Sequence, residues 1–226
     1  MLGADGKPLA SNQVVISQLR HKFLFGCNAF GVRLLEATDD QLTYQKRFAD
    51  LFNFATLPFY WGAEKTWDVC QRFGRFGKPL NFTETTFISA KPKKDQRWSG
   101  PYYTDWPTTP EGEARQAKEA AEFYTILFSH PAVEAITWWD FSDKGCWLGA
   151  PAGLLRKDMS PKPAYEVLLN LIKKEWWTGP QALTTDAAGV VRFHGFLGTY
   201  TITTGKSRAI FDVPASGASK VHVSIR

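Results

Sequence analysis

The chain has 226 residues, a formal charge of +5 and a pI near 9.1, which is length enough for one large domain or one domain with an appendage. The basic residues are scattered apart from "KPKK" (residues 91–94) and "IKKE", and no apolar run approaches the ~20 residues of a membrane span. The charge therefore reads as a solvated surface, with no nucleic-acid or membrane partner expected.

After Met1 the stretch "LGADGKPLAS" has neither a basic n-region nor an apolar h-region, so no signal peptide is read in this chain. "DGKPLASNQVVISQLRHKFLFG" opens with a turn signal and continues as one or two strands. "FLFGCN" (Phe23 to Asn28) has the form of a short, fully buried strand. Thr38, Asp39 and Asp40 can cap a helix that carries Tyr44, Phe48, Leu51 and Phe52 on one face. "FNFATLPFYW" (Phe52 to Trp61) is a second buried strand with Pro58 near its end. Trp67, Cys70 and Phe73 then recur at helical spacing within residues 66–76.

"GKPLNFTETTF" (residues 77–87) alternates. Period-2 logic puts Leu80, Phe82, Glu84 and Thr86 on one face and Asn81, Thr83 and Thr85 on the other. A carboxylate on an apolar face costs several kcal/mol unless it is paired or used. A polar loop bearing Pro and Trp follows, from about Lys91 to Thr109, and its length suits an active-site loop. In the next helix Thr109 can cap, Pro110 suits the first position, and Glu111 and Glu113 favour the dipole. Its apolar face is read as Ala117, Ala121, Tyr124 and Phe128. "VEAITWWDFSD" is another strand, leading to a Gly-rich loop through Trp147. The last helix, "SPKPAYEVLLNLIKKEWW", turns Ala164, Val167, Leu168, Leu171 and Ile172 inward. After Thr178, "VVRFHGFLGTYTITT", "SRAIFDVP" and "KVHVSIR" read as alternating strands of a small all-β appendage with which the N-terminal strands can pair.

Strands at about 23–28, 52–60, 79–86 and 134–141 alternate with helices, the pattern of parallel βα units. An eight-stranded barrel typically takes ~250 residues, more than this stretch supplies. Cys27, Cys70 and Cys146, and likewise His21, His130, His194 and His222, fall at spacings that fit neither a disulfide framework nor a metal site. No cofactor is expected. Nine Trp, seventeen Phe and seven Tyr mostly fill cores, though exposed rings at this density suit sugar platforms.

The segments "HKFLFGCN", "FNFATLPFYW", "GKPLNFTETTF", "HPAVEAITWWDFSD" and "GCWLGAPAGLLRKDMSPKPAY" resemble, in order, segments of glycoside hydrolase family 10, the endo-1,4-β-xylanases, over most of residues 20 to 178. The resemblance implies a TIM-type (β/α) barrel and hydrolysis of internal β-1,4 linkages of xylan with retention. It places Glu84 at the family's catalytic nucleophile, at the end of the seventh strand, and Trp139 and Trp147 at the two tryptophans that flank the substrate sugar. Trp138 reads as a core residue. The fold class implied is α/β, a partial barrel with strands equivalent to one, two, seven and eight. Domains are expected at 1–178, with the N-terminal β strands, and at 179–226, the all-β appendage.

Two departures from the family pattern stand out. The run "TLPFYWG" lacks the family's polar clamp on the glycone sugar. The family's third to sixth strands, with the general acid/base, would fall between Glu64 and Lys65. "TWDVC" (Thr66 to Cys70) only superficially matches the acid/base motif, because Gln71 and Arg72 follow where Asn-Glu should stand. Glu64, Asp140 and Asp143 are nearby in principle, and none carries that motif. Retaining hydrolysis needs two carboxyls ~5–5.5 Å apart, so a non-catalytic carbohydrate-binding remnant is the alternative. Strands seven, eight, one and two are contiguous around a barrel and can form a four-stranded parallel sheet, and a homodimer could complete the barrel. Family habit places the protein outside the cell or in the periplasm, where xylan or xylo-oligosaccharide is met.

Overall fold

The computed structural model describes residues 1–3, 6–28, 38–56, 67, 70, 79–94 and 100–224. Contacts gather the chain into two compact units, residues 24–172 and residues 1–23 with 173–226.

In the first unit four parallel strands stand in the order β3-β2-β5-β4, with β2 (Leu24–Asn28), β3 (Phe54–Thr56), β4 (Leu80–Thr85) and β5 (Val133–Trp138). This is the contiguous order expected for a barrel fragment. The second strand starts at Phe54, two residues later than the sequence suggests, and residues 57–60, read as its continuation, lie outside the described residues. β5 is buried at five of its six positions, because helices cover a parallel sheet.

Helix α1 (Thr38–Leu51) follows β2. Tyr44, Phe48 and Phe52 converge edge-on upon Phe141, with ring centroids 5.0, 5.4 and 5.8 Å from it. Helix α2 (Pro110–Ser129) begins as read: the Thr109 side chain accepts the Gly112 amide at 3.0 Å, with proline in the first turn. Its buried stripe, however, is Glu113, Gln116, Ala117, Ala120, Tyr124 and Leu127, with Ala121 and Phe128 only half-buried. Tyr124 and Phe128 pack on the fully buried Phe25 of β2 at 6.4 and 5.5 Å. Burying one such ring contributes roughly 1.5–3 kcal/mol. Gly112 lets the helix meet the β4 loop closely, since a Cβ there would stand 2.1 Å from the Ser89 carbonyl. Helix α3 (Pro163–Asn170) buries Ala164, Tyr165 and Leu168, then widens to a π turn over Leu171–Glu175.

The second unit is an antiparallel sheet in the order β6-β1-β7-β8, with β1 (Gln13–His21), β6 (Gln181–Thr184), β7 (Gly198–Thr204) and β8 (Ser207–Val213). Val14 and Ile16 of β1 meet Tyr200 and Ile202 of β7 in its core. The N-terminal strand thus pairs with C-terminal ones. Two details differ from the sequence pattern. Residues 190–197 alternate but form no strand, and the described part of "KVHVSIR", residues 220–224, gives only a bridge between Ser224 and Leu2.

Candidate active site at the strand carboxyl ends

Glu84 is the penultimate residue of β4. Burial follows the expected alternation from Leu80 to Glu84, with Asn81 and Thr83 exposed, and then breaks: Thr85 is buried and Thr86 exposed. The register explains why. Phe82 stands beside Ile136 and Thr85 beside Trp138, so three steps along β4 match two along β5. Ile136 and Trp138 share a face, so Phe82 and Thr85 share it too, although three residues separate them. That face is the one under α2, where Phe82 meets Phe123 at 6.2 Å and Trp138 meets Tyr124 at 6.3 Å. Glu84 therefore does not share the face of Phe82, as strict period-2 reading has it. The slip turns it to the opposite face, which a closed barrel would enclose. Its Oε1 is buried there.

Trp138 is a core residue, fully buried, with its Nε1 donating to the Ala152 carbonyl at 3.1 Å. Trp139 continues the ladder, its amide donating to the Thr85 carbonyl at 2.7 Å. Alternation turns its ring to the side of Glu84. The indole is 8% exposed. Trp147 begins a short 3-10 turn (Trp147–Gly149) and is 41% exposed. Its amide donates to Asp140 Oδ2 at 2.9 Å. The turn is docked by the Tyr103 amide on the Leu148 carbonyl at 2.9 Å. Gly149, at φ 72°, comes so close that a Cβ would lie 2.0 Å from the Tyr103 carbonyl. Tyr102, 60% exposed, brings its ring edge against the same glycine.

The two aspartates beyond β5 have different surroundings. Burial pushes the Asp140 carboxyl up to about 6, with the Trp147 amide pulling down and Asp143 adding to the rise. Asp143 accepts from Lys162 Nζ at 2.8 Å and from the Gly153 amide at 2.8 Å. Lys162 is fully buried and also donates to Ser89 Oγ at 2.9 Å. Burial raises Asp143 and lowers Lys162, and in each case the partner's charge opposes the shift. Beside this pair Glu113 takes a two-point bond from Arg156, at 2.8 and 2.5 Å. Gln116 donates to the Phe87 carbonyl at 2.7 Å. These groups fasten the loops after β4 and β5 to α2.

The structure thus brings Glu84 and Trp139 to the carboxyl ends of adjacent strands, with Trp147 tied to the residue after Trp139. Glu64, Lys65 and most of residues 66–76 lie outside the described residues. Of that stretch, Trp67 lies edge-on to His130 at 4.9 Å and Cys70 is buried. Sequence reasoning passed over Lys162, which has no local pattern to mark it. It read Glu113 only as a dipole partner, although its place on the apolar stripe with Gln116 demanded a buried partner.

A parallel β/α sheet with a carboxylate and aromatic rings at its strand carboxyl ends has the arrangement in which barrel-type enzymes place their active sites. Residues 61–171 match the family described as glycosyl hydrolase family 10. A curated relative, the anti-sigma-I factor RsgI6 of Acetivibrio thermocellus, is 33% identical over 105 residues, 45% of this chain and 13% of that protein. Similar solved structures include native xylanase 10B from Thermotoga maritima (24% identity, TM-score 0.36). Xylanase 10B from Thermotoga petrophila RKU-1, solved in complex with xylobiose, is another (25% identity, TM-score 0.36). Each covers 46% of this chain, and the chain spans 30% of each.

Proposed function

We propose that the protein acts on xylan or xylo-oligosaccharides met outside the cell, as a retaining hydrolase with Glu84 as nucleophile and Trp139 and Trp147 as sugar-stacking rings. The observation that carries this reading is the register slip in β4, which brings Glu84 to the face of Trp139 at adjacent strand ends. A carboxylate there can attack an anomeric carbon of a sugar held against the ring. Replacing Glu84 by Gln is expected to abolish turnover of an aryl β-xylobioside with an activated leaving group, which hardly needs an acid, and to leave xylotetraose binding in place. Turnover that persists in Glu84→Gln would remove Glu84 from the mechanism.

A second reading, binding without cleavage, is favoured by the engagement of both aspartates beyond β5. Asp140 holds the Trp147 amide, and Asp143 holds Lys162 and Gly153. A general acid contributes roughly 10²–10⁴ in rate. Xylotetraose that quenches tryptophan fluorescence, with no turnover of the aryl glycoside by the parent, selects binding alone.

A further inference from the structure

We propose that Asp140 is a positioning residue for substrate, a carboxylate clasp that fixes the Trp147 turn so that the indole is presented to a xylose unit. The inference rests on the reading of Trp147 as a sugar-stacking ring.

Asp140 sits between Trp139, at the end of β5, and Phe141, which is locked among the rings of α1. Its φ is 62°, a left-handed conformation that glycine adopts freely and that aspartate tolerates better than most residues. Glycine would fit this backbone with less strain, so the side chain has to account for its presence. What the side chain does is reach seven residues forward to the first amide of the 3-10 turn. Cys146, at the cap position of that turn, gives no side-chain cap bond. Asp140 supplies it from outside the turn.

The surroundings make this an expensive place for a carboxylate. Burial disfavours its charge, Asp143 stands near it, and Tyr44 of α1 and Cys146 both feel its field. The ring placed by the bond is one of the more exposed large apolar side chains of the unit. A half-buried acid thus holds a residue whose ring stays 41% exposed. That combination fits a ring kept ready for a ligand better than a ring kept for stability. The complementary ligand is a β-1,4-linked xylose unit, whose equatorial hydroxyls leave apolar C–H faces to lie on an indole.

Two variants separate the clasp from the backbone. Asp140→Gly keeps the left-handed conformation and removes the acceptor. Asp140→Asn keeps tolerance of that conformation and an acceptor oxygen. The full chain is labelled with 5-fluorotryptophan, and the Trp147 fluorine resonance is assigned by its loss in Trp147→Phe. In Asp140→Gly that resonance is expected to move toward the position of free tryptophan, and the Kd for xylotetraose to rise about tenfold, as losing a hydrogen bond to a charged group implies. The thermal midpoint is expected not to fall below the parent's, and Asp140→Asn to restore both resonance and affinity.

An unmoved resonance and unchanged affinity in Asp140→Gly would overturn the clasp. Equal loss of affinity in the Gly and Asn variants, with a lowered thermal midpoint, makes Asp140 a structural residue only and also overturns it. If the resonance depends on Asp140 but the parent ignores xylotetraose, the sugar reading of Trp147 falls, and with it the role of Asp140 toward substrate.

Discussion

Asp140 offers a pH signature that can be read without any substrate. Its carboxyl is raised from an ordinary 3.8 to about 6, chiefly by burial. Between those values the folded chain keeps a proton that the unfolded chain has released. The stability this contributes is full below the unfolded value and is lost as pH rises through the folded one. Above about pH 7 the buried charge is a net cost, which Asp140→Asn removes. The variant is expected to gain up to about 3 kcal/mol at neutral pH, at 1.36 kcal/mol per pKa unit, and nothing near pH 4. Urea unfolding at the two pH values checks this, and a gain independent of pH would contradict it. Lys162 tests the opposite situation. Lys162→Met leaves the Asp143 carboxylate buried without its cation, at an expected cost of about 3–5 kcal/mol. Adding Asp143→Leu should recover part of that cost, as a lower urea midpoint in the single variant than in the double would show.

Elements governed by neighbours in sequence were legible before the fold was known. Thr109, Pro110 and the acidic first turn announce α2, and the cap bond to Gly112 forms as written. Elements governed by distant partners were not. Gln181–Thr184 has no strong strand pattern and becomes β6 because Gln13 to Ile16 of β1 lie alongside it. Residues 190–197 carry the opposite lesson, since alternation without a partner strand leaves them irregular. In α2 the true stripe runs through Glu113 and Gln116, which an apolar-only reading sets aside. Their partners, Arg156 and the Phe87 carbonyl, lie 43 and 29 residues away. The position of Glu84 at a strand end was legible. Its face was not, because a slip in register leaves no mark in residue type.

For the whole molecule the sheet raises a question of closure. Among the described residues β3 pairs with β2 alone and β4 with β5 alone, so each outer strand offers one ladder edge. Exposed parallel edges favour association. Pairing β3 of one chain with β4 of another would give eight strands around a two-fold axis. Multi-angle light scattering at micromolar concentration is expected to give twice the 25.4 kDa of one chain. A monodisperse monomer would rule this assembly out.

The slip between Phe82 and Thr85 has a consequence for how the site can be lost. Side-chain replacement at Thr83 would leave the count of backbone steps unchanged and Glu84 on its present face. Deleting Thr83 removes no catalytic group and breaks no ion pair. It would restore strict alternation, with Phe82 and Thr85 still under α2 and Glu84 between them on its present, opposite face. At this strand, therefore, loss of one codon at Thr83 is expected to spare the side on which Glu84 stands, whereas replacing the glutamate removes the carboxylate itself.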